Sequence, residues 1–404
     1  MYEQVKVNRA VYGAGEDRLI LGSAEDNPLA LSDFYGQVQC VYLDPPFMTG
    51  EKFQRKRACG EADWKRGTMS LTLPAYEDQF DSEDAYLKML RGMVESAWSL
   101  LRPEGVFCLH LDWRMSARAR LMCDEIFGQK RFLNEIIWGY ESGGRSKKTF
   151  SRKHDTILLY ARTGKYYFDI TRVPLPRAEN RKNHMARSLD ENGRAYSSIH
   201  TRGKEYRYYD DEPVYPGDVW TDIGFLQQRD PERTGYATQK PLKLLERLLL
   251  PVTRPGDWVA DLCCGSGTTL AAAEGMGCHL LGMDTSSEAL SVTLSRLSAR
   301  NLTMACPTDE SPAEALAEYD AGYLRVRGIG VSGVPFPEKA TPMDCLESWE
   351  TGRIEGDTFR VNRRYLRTNR YPALQETLAV DPGHVPDLLL TDASGARRAY
   401  RWKE

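Results

Sequence analysis

The sequence of 404 residues lacks several patterns that assign a chain to a class of protein at once. Its nine cysteines include no C-x-x-C pair and none at zinc-finger spacing from a histidine, so neither disulfides nor a metal site is predicted. No apolar run approaches the roughly 18 residues that a membrane-spanning helix needs. Residues 1–10 also lack the apolar core of a signal peptide. We therefore expect a cytoplasmic protein without a bound metal.

A strong net charge is also missing, but the charge is unevenly distributed. The formal net charge of −3 gives no reason to expect a polyanionic partner. Residues 145–207, however, contain 16 basic and 6 acidic residues, which is a surplus of ten positive charges. Most charge runs are solvated surfaces. A basic segment in an otherwise acidic chain nevertheless favours contact with a polyanion.

Short apolar runs alternate with helical patterns on both sides of a less regular middle segment. Residues 18–22 and 38–43 have the length and composition of buried strands. Residues 81–105 have the apolar spacing of an amphipathic helix, with Asp81 or Ser82 as the N-terminal cap. This alternation predicts an α/β fold with a doubly wound sheet.

Three segments depart from the alternation. Residues 50–82 are polar and are predicted to form a long loop. Residues 163–235 are rich in Arg, Asn, Tyr and Gly, which predicts an inserted segment that is irregular or folded as β-hairpins. From residue 305 the helical period fades and strand-like runs follow, so residues 305–404 are predicted to be a small β-rich C-terminal accessory domain, and residues 1–304 the main domain.

Two motifs follow predicted strands. The predicted strand at residues 38–43 is followed by Asp44-Pro45-Pro46-Phe47, where two prolines that cannot donate to a sheet stop it. A later strand ends at Asp261, and the loop Gly265-Ser266-Gly267 then opens a helix, while the next strand ends at Asp284. Glycines allow a close approach to a ligand and the acid can accept from ribose hydroxyls, as in nucleotide-binding folds. The third glycine of a dinucleotide fingerprint and the G-K-[ST] of a P-loop are absent.

Together, D-P-P-F and D-L-C-C-G-S-G-T-T resemble the β-class amino-methyltransferases of DNA, including the modification subunits of type III restriction systems. The order of the motifs agrees, because Asp44 precedes Asp261 by 217 residues with the inserted segment between them. The resemblance implies a Rossmann-like methyltransferase sheet and S-adenosylmethionine as cofactor. It implies double-stranded DNA, a second copy of the chain and a restriction subunit as partners. The sequence departs from the family at Cys263, where an aromatic residue is usual.

The resemblance also implies roles for individual residues. The Asp44 carboxylate and the Pro45 carbonyl can accept the two N–H groups of a target amine, which favours attack on a methyl sulfonium. The residues implied to form the catalytic motif are Asp44, Pro45, Pro46 and Phe47. Those implied to bind the cofactor are Thr238, Lys240, Asp261, Cys263, Gly265, Ser266, Gly267, Thr268 and Asp284. Candidate DNA-binding residues are Arg145, Lys147, Lys148, Phe150, Arg152, Lys153, Arg181, Lys182, Arg202 and Lys204, the last four for target recognition within residues 163–235.

Several alternatives remain beside the preferred reaction, which is methylation of N6 of a flipped adenine. The D-P-P-F motif favours adenine in the family, but the same chemistry serves N4 of cytosine. Methylation of RNA or of a protein amide is less favoured, since those enzymes usually carry Asn in place of Asp44. A binding-only module is supported only by Cys263. The arginines of the tail fit an exposed strand as well as they fit DNA contact; these are Arg360, Arg363, Arg364, Arg367 and Arg370.

Overall fold

A computed structural model describes residues 1–26, 28–58, 70–141, 146–176, 187–298, 301–331, 341–367, 374–381 and 384–403. These residues contain five α-helices, which are α1 (Glu83–Leu100), α2 (Ser116–Cys123), α3 (Leu242–Leu249), α4 (Thr268–Gly275) and α5 (Ser287–Arg296). They also contain 23 strands, which are β1 (Tyr2–Val5), β2 (Arg9–Gly13), β3 (Asp17–Leu21), β4 (Val38–Leu43), β5 (Lys52–Ala58), β6 (Ser70–Glu77), β7 (Leu101–Leu111), β8 (Phe132–Gly139), β9 (His154–Ala161), β10 (Arg187–Leu189), β11 (Ala195–Thr201), β12 (Lys204–Tyr209), β13 (Val219–Trp220), β14 (Trp258–Asp261), β15 (His279–Asp284), β16 (Asn301–Ala305), β17 (Ala313–Asp320), β18 (Tyr323–Val331), β19 (Leu346–Glu355), β20 (Thr358–Leu366), β21 (Thr377–Ala379), β22 (Asp387–Asp392) and β23 (Arg397–Trp402). Among the described residues, no helix is both long and apolar enough to cross a membrane.

The central part of the largest sheet is an α/β sheet with the strand order β3-β15-β14-β4-β7-β9-β8. Each strand in this part runs parallel to its neighbours except β9, which is antiparallel to both β7 and β8. The carboxyl ends of β3, β15, β14 and β4 therefore share one edge of the sheet. Ligands of open α/β sheets bind outside that edge.

Helices cover both faces of the central sheet. Successive residues of β4 point to opposite sides, so Val41 and Leu43 pack in the core that α1 and α2 cover, while Cys40 and Tyr42 pack with α3, α4 and α5. Helix α1 begins after Ser82, whose hydroxyl accepts from a backbone N–H at 3.1 Å. The predicted doubly wound α/β fold is confirmed.

The prediction of a long loop over residues 50–82 is wrong, because this segment contains a β-hairpin. Strands β5 and β6 pair antiparallel, with Lys52 opposite Glu77 at one end and Ala58 opposite Ser70 at the other. Backbone pairing satisfies the N–H and C=O groups of both strands whatever their side chains are. The polar composition of β5 therefore hid the strand from an argument based on apolar periodicity.

The two remaining predicted segments contain further strands. Within residues 163–235, strands β10, β11 and β12 form a separate antiparallel sheet, and β13 joins the central sheet beside β8. Within residues 305–404, strands β19, β20, β22 and β23 extend the large sheet, since β20 pairs with β2 and β23 pairs with β1. The division of the chain at residue 305 stays a prediction.

The arginines of the tail have different surroundings. Arg364 donates to the carbonyls of Leu294 and Leu297 at the end of α5 at 2.9 and 3.0 Å. Arg367 is buried and donates to backbone carbonyls before and within β19. Arg360 pairs with Glu355, Arg363 is exposed, and Arg370 lies outside the described residues. The row of arginines is therefore not one exposed face.

Candidate active site

A cavity of about 610 Å³ lies at the carboxyl edge of the central sheet. The residues that follow β3, β4, β14 and β15 all contribute to its wall. All four residues of the predicted catalytic motif line it, which are Asp44, Pro45, Pro46 and Phe47. Eight residues predicted to bind the cofactor also line it, which are Thr238, Lys240, Asp261, Cys263, Gly265, Ser266, Thr268 and Asp284. The fold thus brings two motifs that are 217 residues apart in sequence to one cavity.

Asp44 faces a basic side chain across the cavity wall. Its Oδ2 lies 2.6 Å from Nζ of Lys240, and both side chains are largely buried. Its Oδ1 is buried and has no hydrogen-bond partner within the described part of the chain. Nζ of Lys240 also lies 5.0 Å from the ring centroid of Phe47. The carboxylate is thus held by one cation and keeps one oxygen as an acceptor.

The glycine loop between β14 and α4 needs both of its glycines. Gly265 and Gly267 have φ angles of +48° and +72°, a region that other residues rarely adopt. A Cβ atom on Gly267 would lie 2.6 Å from Oγ1 of Thr293, so this residue packs against α5 and does not itself line the cavity. The N–H of Gly265 donates to Oδ2 of Asp284 at 2.8 Å, which fixes the loop to the end of β15.

The cavity wall is strongly acidic. It contains one lysine, Lys240, and six carboxylates, which belong to Glu25, Asp26, Asp44, Asp78, Asp261 and Asp284. Burial, together with the nearby carboxylates of Asp44 and Asp284, raises the pKa of Asp261 to about 7, against hydrogen bonds from Thr269 and Cys263 that lower it. Because Lys240 is the one cation among the described residues of the wall, a ligand with positive charge fits this cavity.

Cys263, the departure from the family pattern, lies in the same wall. Its Sγ is 3.9 Å from Sδ of Met93 on α1. Burial, followed by the nearby carboxylates, raises the pKa of the Cys263 thiol well above its usual range. The thiol is therefore an uncharged, polarisable packing group in this wall and is not activated as a nucleophile.

Three acids of the wall, Glu25, Asp26 and Asp78, were not among the predicted site residues. Asp78 follows β6 and is buried, and its carboxylate accepts from the segment Phe47–Thr49. Glu25 follows β3, and one of its carboxylate oxygens is buried without a partner in the part of the chain that the structure describes. Burial, and then Asp26, raise the pKa of Glu25. Asp78 stands in no recognisable motif, so only the fold reveals its place in the wall.

The segment between β8 and β9 lies at the same edge of the sheet as Asp44. Strand β9 is antiparallel to both β7 and β8, and β7 is parallel to β4, so β8 and β4 end at the same edge. The predicted DNA-binding residues Lys147, Lys148 and Arg152 are exposed here, and the side chain of Phe150 is 99% exposed. The guanidinium of Arg152 lies 3.8 Å from the ring centroid of Trp113, a half-exposed residue that the sequence did not single out.

The positions of the other predicted DNA-binding residues give less support to a role in DNA binding. Lys153 is half-buried next to β9. Arg202 and Lys204 are exposed at the turn between β11 and β12, in the small separate sheet, and neither lines the cavity. Arg145, Arg181 and Lys182 lie outside the described residues.

Comparison with known families decides the general reaction. The model of a family described as DNA methylase, which covers N6 and N4 amino-methyltransferases, matches residues 38–295. The chain belongs to the DNA methylase family. The family uses S-adenosylmethionine, so the predicted cofactor is confirmed together with a DNA substrate and an exocyclic amine as acceptor. The DNA methylase family includes enzymes that methylate N6 of adenine and enzymes that methylate N4 of cytosine.

Individual relatives of this DNA methylase cover most of its length. The type II methyltransferase M.EcaI of Enterobacter cloacae is 25% identical in an alignment of 336 positions that covers 70% of this chain and 71% of the relative. The DNA adenine methyltransferase YhdJ of Escherichia coli is 26% identical over 261 residues, or 64% of this chain and 76% of the relative. The crystal structure of the M1.HpyAVI–SAM complex superposes with a TM-score of 0.43 at 15% identity, covering 70% of this chain and 98% of that one.

Proposed function

We propose that this DNA methylase transfers the methyl group of S-adenosylmethionine to N6 of adenine in duplex DNA. The observation that carries the proposal is the free Oδ1 of Asp44, which belongs to a D-P-P-F motif in the same cavity as the glycine loop. Aspartate at the first position of this motif supports adenine, by resemblance to the family. YhdJ, a relative named as an adenine methyltransferase, supports the same choice.

The proposed mechanism uses Asp44 and the backbone next to it. The lone pair of an exocyclic amine is delocalised into the base, so the nitrogen must become tetrahedral before it can attack. Acceptance of one N–H by Asp44 and of the other by the Pro45 carbonyl favours that geometry and stabilises the developing positive charge. Phe47 stacks on the flipped base, and the ion pair with Lys240 keeps Asp44 oriented.

The wall of the cavity fits the cofactor. S-adenosylmethionine supplies a methyl group on a positively charged sulfonium when it is bound, and the excess of carboxylates suits that charge. We assign the ribose hydroxyls to Asp284 and further donors of the cofactor to Glu25, whose buried oxygen has no partner in the described chain. The glycine loop admits the cofactor close to its backbone.

The duplex is proposed to lie on the exposed basic segment between β8 and β9. Lys147, Lys148 and Arg152 supply phosphate contacts, with Trp113 and Phe150 as aromatic surface beside them. The target-recognition role of residues 163–235, a homodimer and a separate restriction subunit stay predictions from the resemblance.

Nucleoside analysis of host DNA tests this function. A bacterial host free of adenine and cytosine methylation should gain N6-methyladenine when it expresses the chain and should gain none with Asp44→Ala. The variant should still bind labelled S-adenosylmethionine in a dialysis experiment, because Asp44 is assigned to the amine. N4-methylcytosine without N6-methyladenine would contradict the adenine assignment, and a fully active Asp44→Ala would contradict the role of Asp44.

A further inference from the structure

The carboxylate of Asp78 holds the backbone that follows the catalytic motif. Its oxygens accept from the N–H of Phe47 at 3.2 Å, of Met48 at 2.8 Å and of Thr49 at 2.9 Å, and from the hydroxyl of Thr49 at 2.7 Å. Asp78 is 1% exposed. Three successive N–H groups that converge on one buried carboxylate form an anion-binding nest, here filled by a side chain of the same protein.

The backbone of Asp78 adds to this contact. The N–H of Gly50 donates to the Asp78 carbonyl and the N–H of Asp78 donates to the carbonyl of Glu51, both at 2.9 Å. These bonds come directly before the first pair of the β5–β6 hairpin, Lys52 and Glu77. The base of the hairpin and the end of the catalytic motif are therefore one connected unit.

The backbone of the catalytic motif has few hydrogen-bond donors of its own. Pro45 and Pro46 have no N–H, so the chain between β4 and Phe47 cannot be held by donors of its own at these two positions. Met48 adopts φ +57°, a strained region for a residue with a side chain, which requires compensating contacts. The first three donors available after the prolines are the ones that Asp78 accepts.

We propose that Asp78 is a positioning residue for methyl transfer, which sets the direction of the Pro45 carbonyl and the ring of Phe47 through the backbone of residues 47–49. The inference rests on the proposed role of Asp44 and its neighbours. Without the carboxylate, three backbone N–H groups lose their acceptor and the motif relaxes away from the target amine. A displacement of about 1 Å at a reacting centre can lower turnover by roughly a hundredfold.

Asp78→Asn is the primary variant, because it keeps the shape of the side chain and removes the charge. We expect kcat for DNA methylation to fall by about ten- to a hundredfold, while the Kd for S-adenosylmethionine and the KM for DNA change by less than about threefold. Thr49→Val removes one of the four donors and should lower kcat by about threefold. Asp81→Asn, an exposed acid three residues further on, is the matched control and should behave as wild type.

A role in stability alone gives a different result. The melting temperature of Asp78→Asn would then fall, with kcat per mole of folded enzyme within twofold of wild type, and the inference would be overturned. It would also be overturned if Kd for the cofactor rose in proportion to the loss of turnover. If Asp44→Ala is inactive and Asp78→Asn is fully active, only the inference about Asp78 fails. If Asp44→Ala is active, the proposed function of the motif fails instead.

Discussion

At the scale of single residues, Lys240 can serve the catalytic carboxylate or the cofactor. The sequence resemblance implied cofactor binding, whereas its ammonium lies 2.6 Å from Asp44. The carbonyl oxygen of Lys240 accepts from the hydroxyl of Thr268 at 3.2 Å, so the backbone of Lys240 contacts the residue that follows the glycine loop. The side chain and the backbone of one residue thus connect the two halves of the cavity.

Lys240→Met separates these two roles. If the ammonium orients Asp44, turnover should fall by roughly ten- to a hundredfold, because the carboxylate loses its charged partner. Cofactor affinity should be unchanged or slightly higher, since a cation leaves a cavity that receives a cationic ligand. Single-turnover methylation and dialysis with labelled S-adenosylmethionine measure the two effects. A large loss of cofactor affinity at unchanged turnover would assign Lys240 to the cofactor.

Asp261 predicts a pH dependence of cofactor binding. Its pKa is about 7, against an ordinary value of 3.8, so its side chain is mostly protonated at pH 6 and mostly ionised at pH 8. Because the pKa of Asp261 is higher in the folded than in the unfolded chain, its contribution to the free energy of unfolding is fully present below pH 4 and is lost as the pH rises through 7. A bound sulfonium favours the ionised form, so affinity for S-adenosylmethionine should rise by up to about tenfold from pH 6 to pH 8.

Dialysis at pH 6, 7 and 8 measures this dependence. Asp261→Asn should bind the cofactor more weakly at pH 8 and should show a much flatter profile, because the residue no longer titrates. S-adenosylhomocysteine has the same amine and carboxylate but no sulfonium, so its affinity should change less over this range. Equal pH dependence for wild type and Asp261→Asn would assign the titration to another group.

At the scale of elements, the fold was predictable where apolar residues repeat and less so where they do not. Strands β4, β14 and β15 are buried on both faces and helix α1 is buried on one, so continuous apolar runs indicated the strands and helical spacing indicated α1. The β5–β6 hairpin was missed because β5 is polar and β6 contains a proline, which a central strand rarely has. The site followed the same rule: motif residues at strand ends were predicted, while Asp78 and Glu25, which depend on contacts between distant segments, were not.

The missed hairpin contributes to the cavity wall near the glycine loop. Phe53 of β5 lines the cavity and packs against Tyr236 together with Ala289 and Val292 of α5. The ring of Tyr236 in turn lies close to Gly265, at 3.3 Å from the position a Cβ there would occupy. The hairpin therefore connects to the glycine loop through the side chains of Phe53 and Tyr236.

Phe53→Ala should weaken cofactor binding by about five- to twentyfold, because it removes apolar wall area and frees Tyr236. Phe53→Leu should retain most of the affinity. Gln54→Ala, an exposed neighbour on the same strand, is the matched control and should leave the Kd unchanged. Dialysis with labelled cofactor gives all three values, and wild-type affinity in Phe53→Ala would remove the hairpin from the cofactor site.

At the scale of the whole molecule, both ends of the chain meet in one sheet. Strand β2 lies between β16 and β20, and β1 pairs with β23, so the N-terminal strands bridge the main and the C-terminal segments. Arg364 of β20 also reaches two carbonyls at the end of α5. The boundary predicted at residue 305 from the loss of helical period takes no account of these strand pairs, because they join residues that are far apart in the sequence, such as Arg9 with Thr358 and Tyr2 with Trp402.

A buried triad between these segments makes the domain division testable. Glu350 of β19 is fully buried; it accepts from the hydroxyl of Tyr12 at 2.8 Å and pairs with Arg397 at 3.3 Å. Glu350→Ala leaves the buried guanidinium without its carboxylate, which should cost about 3–5 kcal/mol of unfolding free energy. Glu355→Ala removes an exposed ion pair with Arg360 and should change the stability little.

Calorimetry distinguishes one cooperative unit from two. Because the triad joins β2 to β19 and β23, we expect a single unfolding transition. Its midpoint should fall in Glu350→Ala. The double variant Glu350→Met/Arg397→Met should restore part of that midpoint, because it leaves no unpaired buried charge. S-adenosylmethionine should raise the midpoint of that same transition in every variant. Two transitions, of which only one responds to the cofactor and only the other to Glu350→Ala, would instead establish residues 305–404 as an independent domain.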